Sequence, residues 1–138
     1  MTSKKSEFPV SSEGIRSGLD ALLTEADKAG VPRSIAHRIA VIVDEYCSNL
    51  IRHDTTLTAD SRFTFEFAAV PDGARVVIRD DGVPFDPTTH EIRESTGIGG
   101  QGISLMRGLA TELTYRSSPA GNELQATILQ DPKSDSQD

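Results

Sequence analysis

The hydrophobic pattern changes period between residues 54 and 63, and that change limits the architectures open to the chain. Before it, Ile35, Ile39, Ile42, Val43, Tyr46 and Leu50 fall on one stripe at about 100° per residue, as in an amphipathic helix. After it, Phe63, Phe65 and Phe67 alternate with Thr64 and Glu66, as in a half-buried strand. Ser11, Ser12 and Glu13 offer an N-cap and an acidic first turn to an earlier helix carrying Ile15, Leu19, Leu22, Leu23 and Ala26, and Gly30 stops it. Val31-Pro32 joins it to the second helix, which begins near Pro32 or Arg33 and fades at Asp54. Pro71-Asp72-Gly73 turns the chain into a second strand, Arg75 to Asp80. From Asp81 to Gly102 no period holds, and a stretch of about twenty such residues in a compact domain is commonly functional. A third helix is expected from about Ile103 to Leu113, and a third strand from Thr114 to Ser117. Pro119-Ala120-Gly121-Asn122 turns into a fourth strand, with Leu124, Ala126 and Ile128 facing one way. Tight turns imply antiparallel pairing, and helices set apart from strand pairs pack on one face of the sheet. The expected class is α/β: a two-layer sandwich with a mixed, mostly antiparallel sheet of four to five strands packed against three helices.

At 138 residues the chain fits one domain, 1–138, ordered over about residues 10–129 with short polar tails at both ends. The last of these, Asp131 to Asp138, reads as disordered. Against 14 basic side chains stand 21 acidic ones, a formal net charge of -7, which argues against a nucleic-acid or membrane-surface role. A single cysteine, Cys47, excludes an intrachain disulfide framework or a cysteine-built zinc site, and its place near the apolar stripe makes it a core residue. No apolar run approaches ~18 residues, the length of a membrane span. No apolar segment follows the lysines near the start, so no secretory signal is read and a cytoplasmic setting is expected.

Three pieces carry chemistry. Glu45, Asn49 and His53 recur at four-residue intervals on the second helix, so they line one edge beside the apolar stripe. A carboxylate there can accept a proton, and an amide can offer its oxygen to a hard cation. Second, the strand ending at Asp80 runs into Asp81-Gly82-Val83-Pro84-Phe85-Asp86-Pro87. Asp80 shares its facing with Val76 and Ile78 and should point inward, where a carboxylate needs hydrogen-bond partners. An adenine amino group is one such partner, and Gly82 would let the backbone approach a flat base. Third, Gly97-Ile98-Gly99-Gly100-Gln101-Gly102 runs straight into the third helix, whose N-terminal N–H groups form an anion site. In an acidic chain a polyphosphate must be met by such local dipoles and a metal ion. The run also fits the dinucleotide fingerprint, but the polar stretch His90 to Thr96 precedes it where that fingerprint needs a hydrophobic strand. A P-loop fails for want of Gly-Lys-Ser/Thr, and Asp80, Asp81 and Asp86 lack the spacing of a calcium loop. His37 lies on the polar side of the second helix and reads as a surface residue.

In order and spacing these pieces resemble the N, G1 and G2 boxes of the GHKL, or histidine-kinase-like, ATPases. Glu45-x-x-x-Asn49-x-x-x-His53 is similar to the N box, Asp80-x-Gly82-x-Pro84-Phe85-Asp86-Pro87 to the G1 box, and Gly100-x-Gly102-Ile103-x-Leu105-Met106-Arg107 to the G2 box. The Pro-Phe-Asp-Pro form on a short chain resembles the bacterial anti-sigma factor serine/threonine kinases, over roughly Val10 to Leu129. The resemblance implies ATP and Mg²⁺ as cofactors. It implies Glu45 as general base toward a partner's serine, Asn49 as Mg²⁺ ligand, and Asp80 as the adenine-reading carboxylate with Gly82 beside it. His53, Pro84, Gly99, Gly100, Gln101, Gly102 and Ile103 complete the implied nucleotide site, and residues 88–96 its lid. The implied partners are a sigma factor held inactive and an anti-sigma-factor antagonist phosphorylated on serine, with a homodimer usual. Position 84 is Pro where broader members carry Gly. Asp54 follows His53 where the family often has Gly or Ala, which would add negative charge near the phosphate end. That charge motivates a second reading, a nucleotide-gated binding switch with little or no chemistry.

Overall fold

The computed structural model describes residues 4–54, 56–88 and 98–130, with 4, 5 and 98–103 described in backbone only. The elements follow in the order β1 (Lys4–Pro9), α1 (Ser12–Lys28), α2 (Arg33–His53), β2 (Arg62–Val70), β3 (Gly73–Asp80), α3 (Ile98–Leu109), β4 (Glu112–Ser118) and β5 (Gly121–Leu129). The five strands form one sheet in the order β1-β2-β3-β5-β4. Every described pairing is antiparallel, so the parallel component allowed by a mixed sheet is absent among the described residues. The class is the expected two-layer α/β sandwich.

Local signals act as the sequence implies. The Ser11 hydroxyl accepts the Gly14 N–H at 3.0 Å and caps α1. At the other end Gly30 takes φ +75°, the left-handed conformation that closes a helix. The α2 stripe is buried along its length, with Ile39, Ile42, Val43 and Tyr46 fully covered. Phe63, Phe65 and Phe67 point toward the helices and are buried with Val76 and Ile78 of β3 and with Leu124 and Ile128 of β5. Each such side chain removed from water contributes about 1.5–3 kcal/mol. Cys47 is fully buried among them, and burial raises its thiol well above the ordinary value.

Two expectations change. The segment before Val10, read as part of a polar tail, is strand β1, paired with β2 from Lys4↔Phe67 to Pro9↔Arg62. Polar residues are normal on a short edge strand, so alternation was too weak to show it. Its one aromatic, Phe8, stacks on Phe65 with centroids 5.8 Å apart. The third helix runs over Ile98–Leu109 instead of about 103–113. It starts earlier because glycine costs only about 1 kcal/mol in a helix interior, which packing overrides; Met106 is fully buried and α3 lies on α2. It stops earlier because Thr111 N–H bonds the Thr127 carbonyl at 2.8 Å, which hands the chain to the sheet. Leu113 therefore belongs to β4, where it and Tyr115 alternate toward the core.

Candidate functional site

The site begins where β3 ends. The period of two that buries Val76 and Ile78 carries Asp80 to the same side of the sheet, and only 7% of Asp80 remains exposed. Its Oδ2 accepts the Tyr46 hydroxyl of α2 at 2.6 Å. Its Oδ1 accepts the Gly82 N–H and the Asn122 side-chain amide, both at 2.9 Å. Burial, with the neighbouring Asp80 charge, pushes the Tyr46 hydroxyl far above its ordinary value, so it stays a donor. A carboxylate has about four acceptor sites, so three donors leave one for a further N–H.

Asn122 was read from sequence only as part of a turn. It stands opposite Asp80 in the β3–β5 register. Its Nδ2 also donates to the Gly82 carbonyl at 2.9 Å, and its Oδ1 accepts the Ser117 hydroxyl at 2.7 Å. The preceding Gly121 takes φ +129°, which suits glycine and brings the β5 backbone against the Asp80 carbonyl.

The loop after Asp80 is held at successive points. Asp54 Oδ2 accepts the Val83 N–H at 2.9 Å. The Tyr115 hydroxyl accepts the Phe85 N–H at 2.9 Å, and Arg107 Nε of α3 donates to the Pro87 carbonyl at 2.8 Å. Asp86 Oδ1 accepts the Thr88 N–H at 2.8 Å, closing a local turn. Burial raises the Tyr115 hydroxyl above its ordinary value. The His53 ring lies nearly parallel to Phe85, with centroids 6.2 Å apart. Pro84 and Val83 are exposed between these anchors.

Asp54 keeps the negative charge expected of it, and its oxygens are engaged within the protein. It is buried, and besides Val83 it accepts the Thr56 N–H at 2.8 Å and the Thr56 hydroxyl. Burial alone would raise its carboxyl, but the bonds from the Thr56 hydroxyl, Val83 N–H and Thr56 N–H outweigh that and hold it below the ordinary value. Its oxygen also explains Gly82. A Cβ there would collide with Asp54 Oδ2 and lie 3.4 Å from Asp80 Oδ1. In the structure Gly82 makes room for two carboxylates.

On α2, Glu45 and Asn49 lie together on the edge bordering the core. Glu45 is half-buried, with Oε1 4.0 Å from Arg52 Nη2. Asn49 is 2% exposed, its Oδ1 accepts Arg52 Nη2 at 3.2 Å, and its Nδ2 has no partner among the described residues. A buried donor left without a partner costs about 1–3 kcal/mol. An amide oxygen already facing a cationic group, with a carboxylate beside it, fits Mg²⁺. Among the described residues no cluster of three His, Cys, Asp or Glu forms a metal cage.

Gly99, Gly100, Gln101, Gly102 and Ile103 all lie within α3, not before it. The N–H groups a helix leaves free are its first four, here near Ile98 to Gln101. Gly97 and most of the expected lid, 89–96, lie outside the described residues. His37 is exposed on α2, as a surface residue should be. Tyr46, Asn122, Tyr115 and Arg52 are the site residues that motif reading passed over. Tyr46 was legible only as a stripe member, Arg52 follows from helix spacing beside Asn49, and Asn122 and Tyr115 became neighbours of the motifs through folding.

Residues 8–128 match the histidine kinase-like ATPase domain family, and the chain belongs to that family. Among solved structures it is similar to the RsbU and RsbW domains of Rv1364c from Mycobacterium tuberculosis, with TM-score 0.68 and 16% identity, covering 96% of this chain and 34% of that one. It is also similar to the blue-light activated histidine kinase of Erythrobacter litoralis EL346, with TM-score 0.51 and 25% identity over 75% of this chain and 33% of that one. The histidine kinase domain of the same protein gives 0.52 and 19% over 88% of this chain and 61% of that one. The chain thus spans about a third of the first two and 61% of the third. No curated protein sequence matches significantly. The fold is that of an ATPase of the kinase-like class.

Proposed function

We propose that this chain is an ATP-binding anti-sigma regulatory factor and protein serine/threonine kinase, which holds a sigma factor and phosphorylates an antagonist protein on serine. The observation that carries the nucleotide part is the Asp80 carboxylate, fixed by three donors with one acceptor site left over. That is the arrangement an adenine amino group needs. The regulatory part is supported by the fold shared with the RsbW-containing structure and by the Pro84-Phe85-Asp86-Pro87 loop.

In this reading Asp80 orients the base, and the first N–H groups of α3 receive phosphate oxygens. Asn49 Oδ1 would hold Mg²⁺, which when bound neutralises phosphate charge. Glu45 lies on the same edge of α2 as Asn49 and takes the proton from the attacking serine hydroxyl. Phosphoryl transfer asks the protein mainly for positioning and charge neutralisation, which this donor set supplies. The setting is cytoplasmic and the working form a homodimer; neither nucleic acid nor membrane is a partner. Among the described residues no helix is long and apolar enough to cross a membrane.

The test is transfer of label from ATP, with Mg²⁺, to the cell's small antagonist proteins. Wild type should label a serine, and Glu45→Ala should lower the rate by about 10²-fold or more while leaving nucleotide binding in place. Equal labelling would remove Glu45 as the base. The binding-switch reading rests on the Asp54 charge, which the bonds from Thr56 and Val83 hold in place. It is favoured if wild type binds ATP and exchanges partners without labelling any of them.

A further inference from the structure

Arg52 faces two N-box residues at once, Asn49 and Glu45. Its Nη2 lies 3.2 Å from Asn49 Oδ1 and 4.0 Å from Glu45 Oε1, so one nitrogen faces both the amide oxygen and the carboxylate. The spacing follows from the helix. Arg52 is seven residues from Glu45 and three from Asn49, so all three share one side of α2. The same side chain, 40% exposed, also lines a groove of about 390 Å³ between α1 and α2, with Arg16, Asp44 and Ser48. The groove sets Arg52 beside Asp44 and open to solvent.

We infer that Arg52 competes with the divalent cation for Asn49 Oδ1, acting as a positioning residue that sets how much Mg²⁺ the site needs. This rests on the nucleotide reading above and adds a control the motifs do not contain. A guanidinium and a divalent cation on one amide oxygen repel each other, so each weakens the other's hold there. Mg²⁺ at Asn49 Oδ1 therefore favours a guanidinium turned away, toward the groove. Arg52 next to Glu45 also keeps the carboxylate engaged until the metal arrives. The contact is partly exposed, so its strength is modest.

The measurement is binding of a fluorescent ATP analogue as Mg²⁺ is raised, with a parallel titration in EDTA, for wild type, Arg52→Gln and Arg52→Lys. In Arg52→Gln the half-saturating Mg²⁺ concentration should fall about two- to five-fold, the range that such a pair allows. Arg52→Lys keeps the charge and should stay near wild type. Affinity in EDTA should not change in either variant. An unchanged or higher Mg²⁺ requirement in Arg52→Gln overturns the inference while leaving nucleotide binding intact. Weakened binding in EDTA overturns it by making Arg52 a phosphate ligand. A wild type that binds no nucleotide overturns the underlying reading and this inference with it.

Discussion

Asp54 shows how a residue's neighbours decide what its charge does. Its sequence position beside the N box adds negative charge there, and its oxygens bond Thr56 and Val83 and pin the loop that follows Asp80. Folding lowers its pKa. A carboxyl of that kind contributes stability that is present above its unfolded value and lost as pH falls through the folded value. Asp54→Asn should therefore be less stable than wild type at neutral pH, with the gap in urea midpoint closing below about pH 4. A gap that stays constant from pH 7 to pH 3 would mean the charge is not what holds the loop. Glycine 82 is the steric counterpart. Sequence reading has it admit a flat base, and a second constraint is the Asp54 carboxylate, which a Cβ there would meet.

At the scale of elements, the loop after β3 is a strap anchored at Asp54, Tyr115 and Arg107, which belong to α2, β4 and α3 or their ends. Gly82→Ala should break the first anchor by displacing Asp54, with a loss of about 1–3 kcal/mol in urea unfolding and weaker nucleotide binding. Wild-type stability in that variant would show that the loop adapts at no cost. The helices α1 and α2 and the cores of β2, β3 and β5 were legible because their periods are long and clean. Strand β1 was not, since its partner row on β2 supplies the apolar side chains and its own residues are mostly polar. The α3 register slipped because Leu113 continues a helical period and a strand period equally well; the Thr111–Thr127 bond and the pairing of β4 with β5 separate them. The motif residues Glu45, Asn49 and Asp80 could be read from spacing. Asn122 and Tyr115 could not, because they reach the site through sheet register, and register is a long-range property.

Across the whole molecule, helices cover one face of an antiparallel sheet, and the candidate site gathers at the end of β3 where α2 and the loop meet it. A chain of net charge -7 does not attract a nucleotide by its overall field. Recognition must be local, and the central claim is that Asp80 reads the exocyclic amino group of adenine. Inosine triphosphate has the same triphosphate and nearly the same shape, but presents a carbonyl oxygen where ATP presents the amino group. A site built around a hydrogen bond rejects an analogue that leaves a buried polar group unpaired. Calorimetric titration of the wild-type chain with Mg·ATP and Mg·ITP tests this directly. The account predicts saturable ATP binding at least about tenfold tighter than ITP, equivalent to about 1.4 kcal/mol. Equal affinities for the two, or no saturable binding of ATP at millimolar concentration, would contradict it.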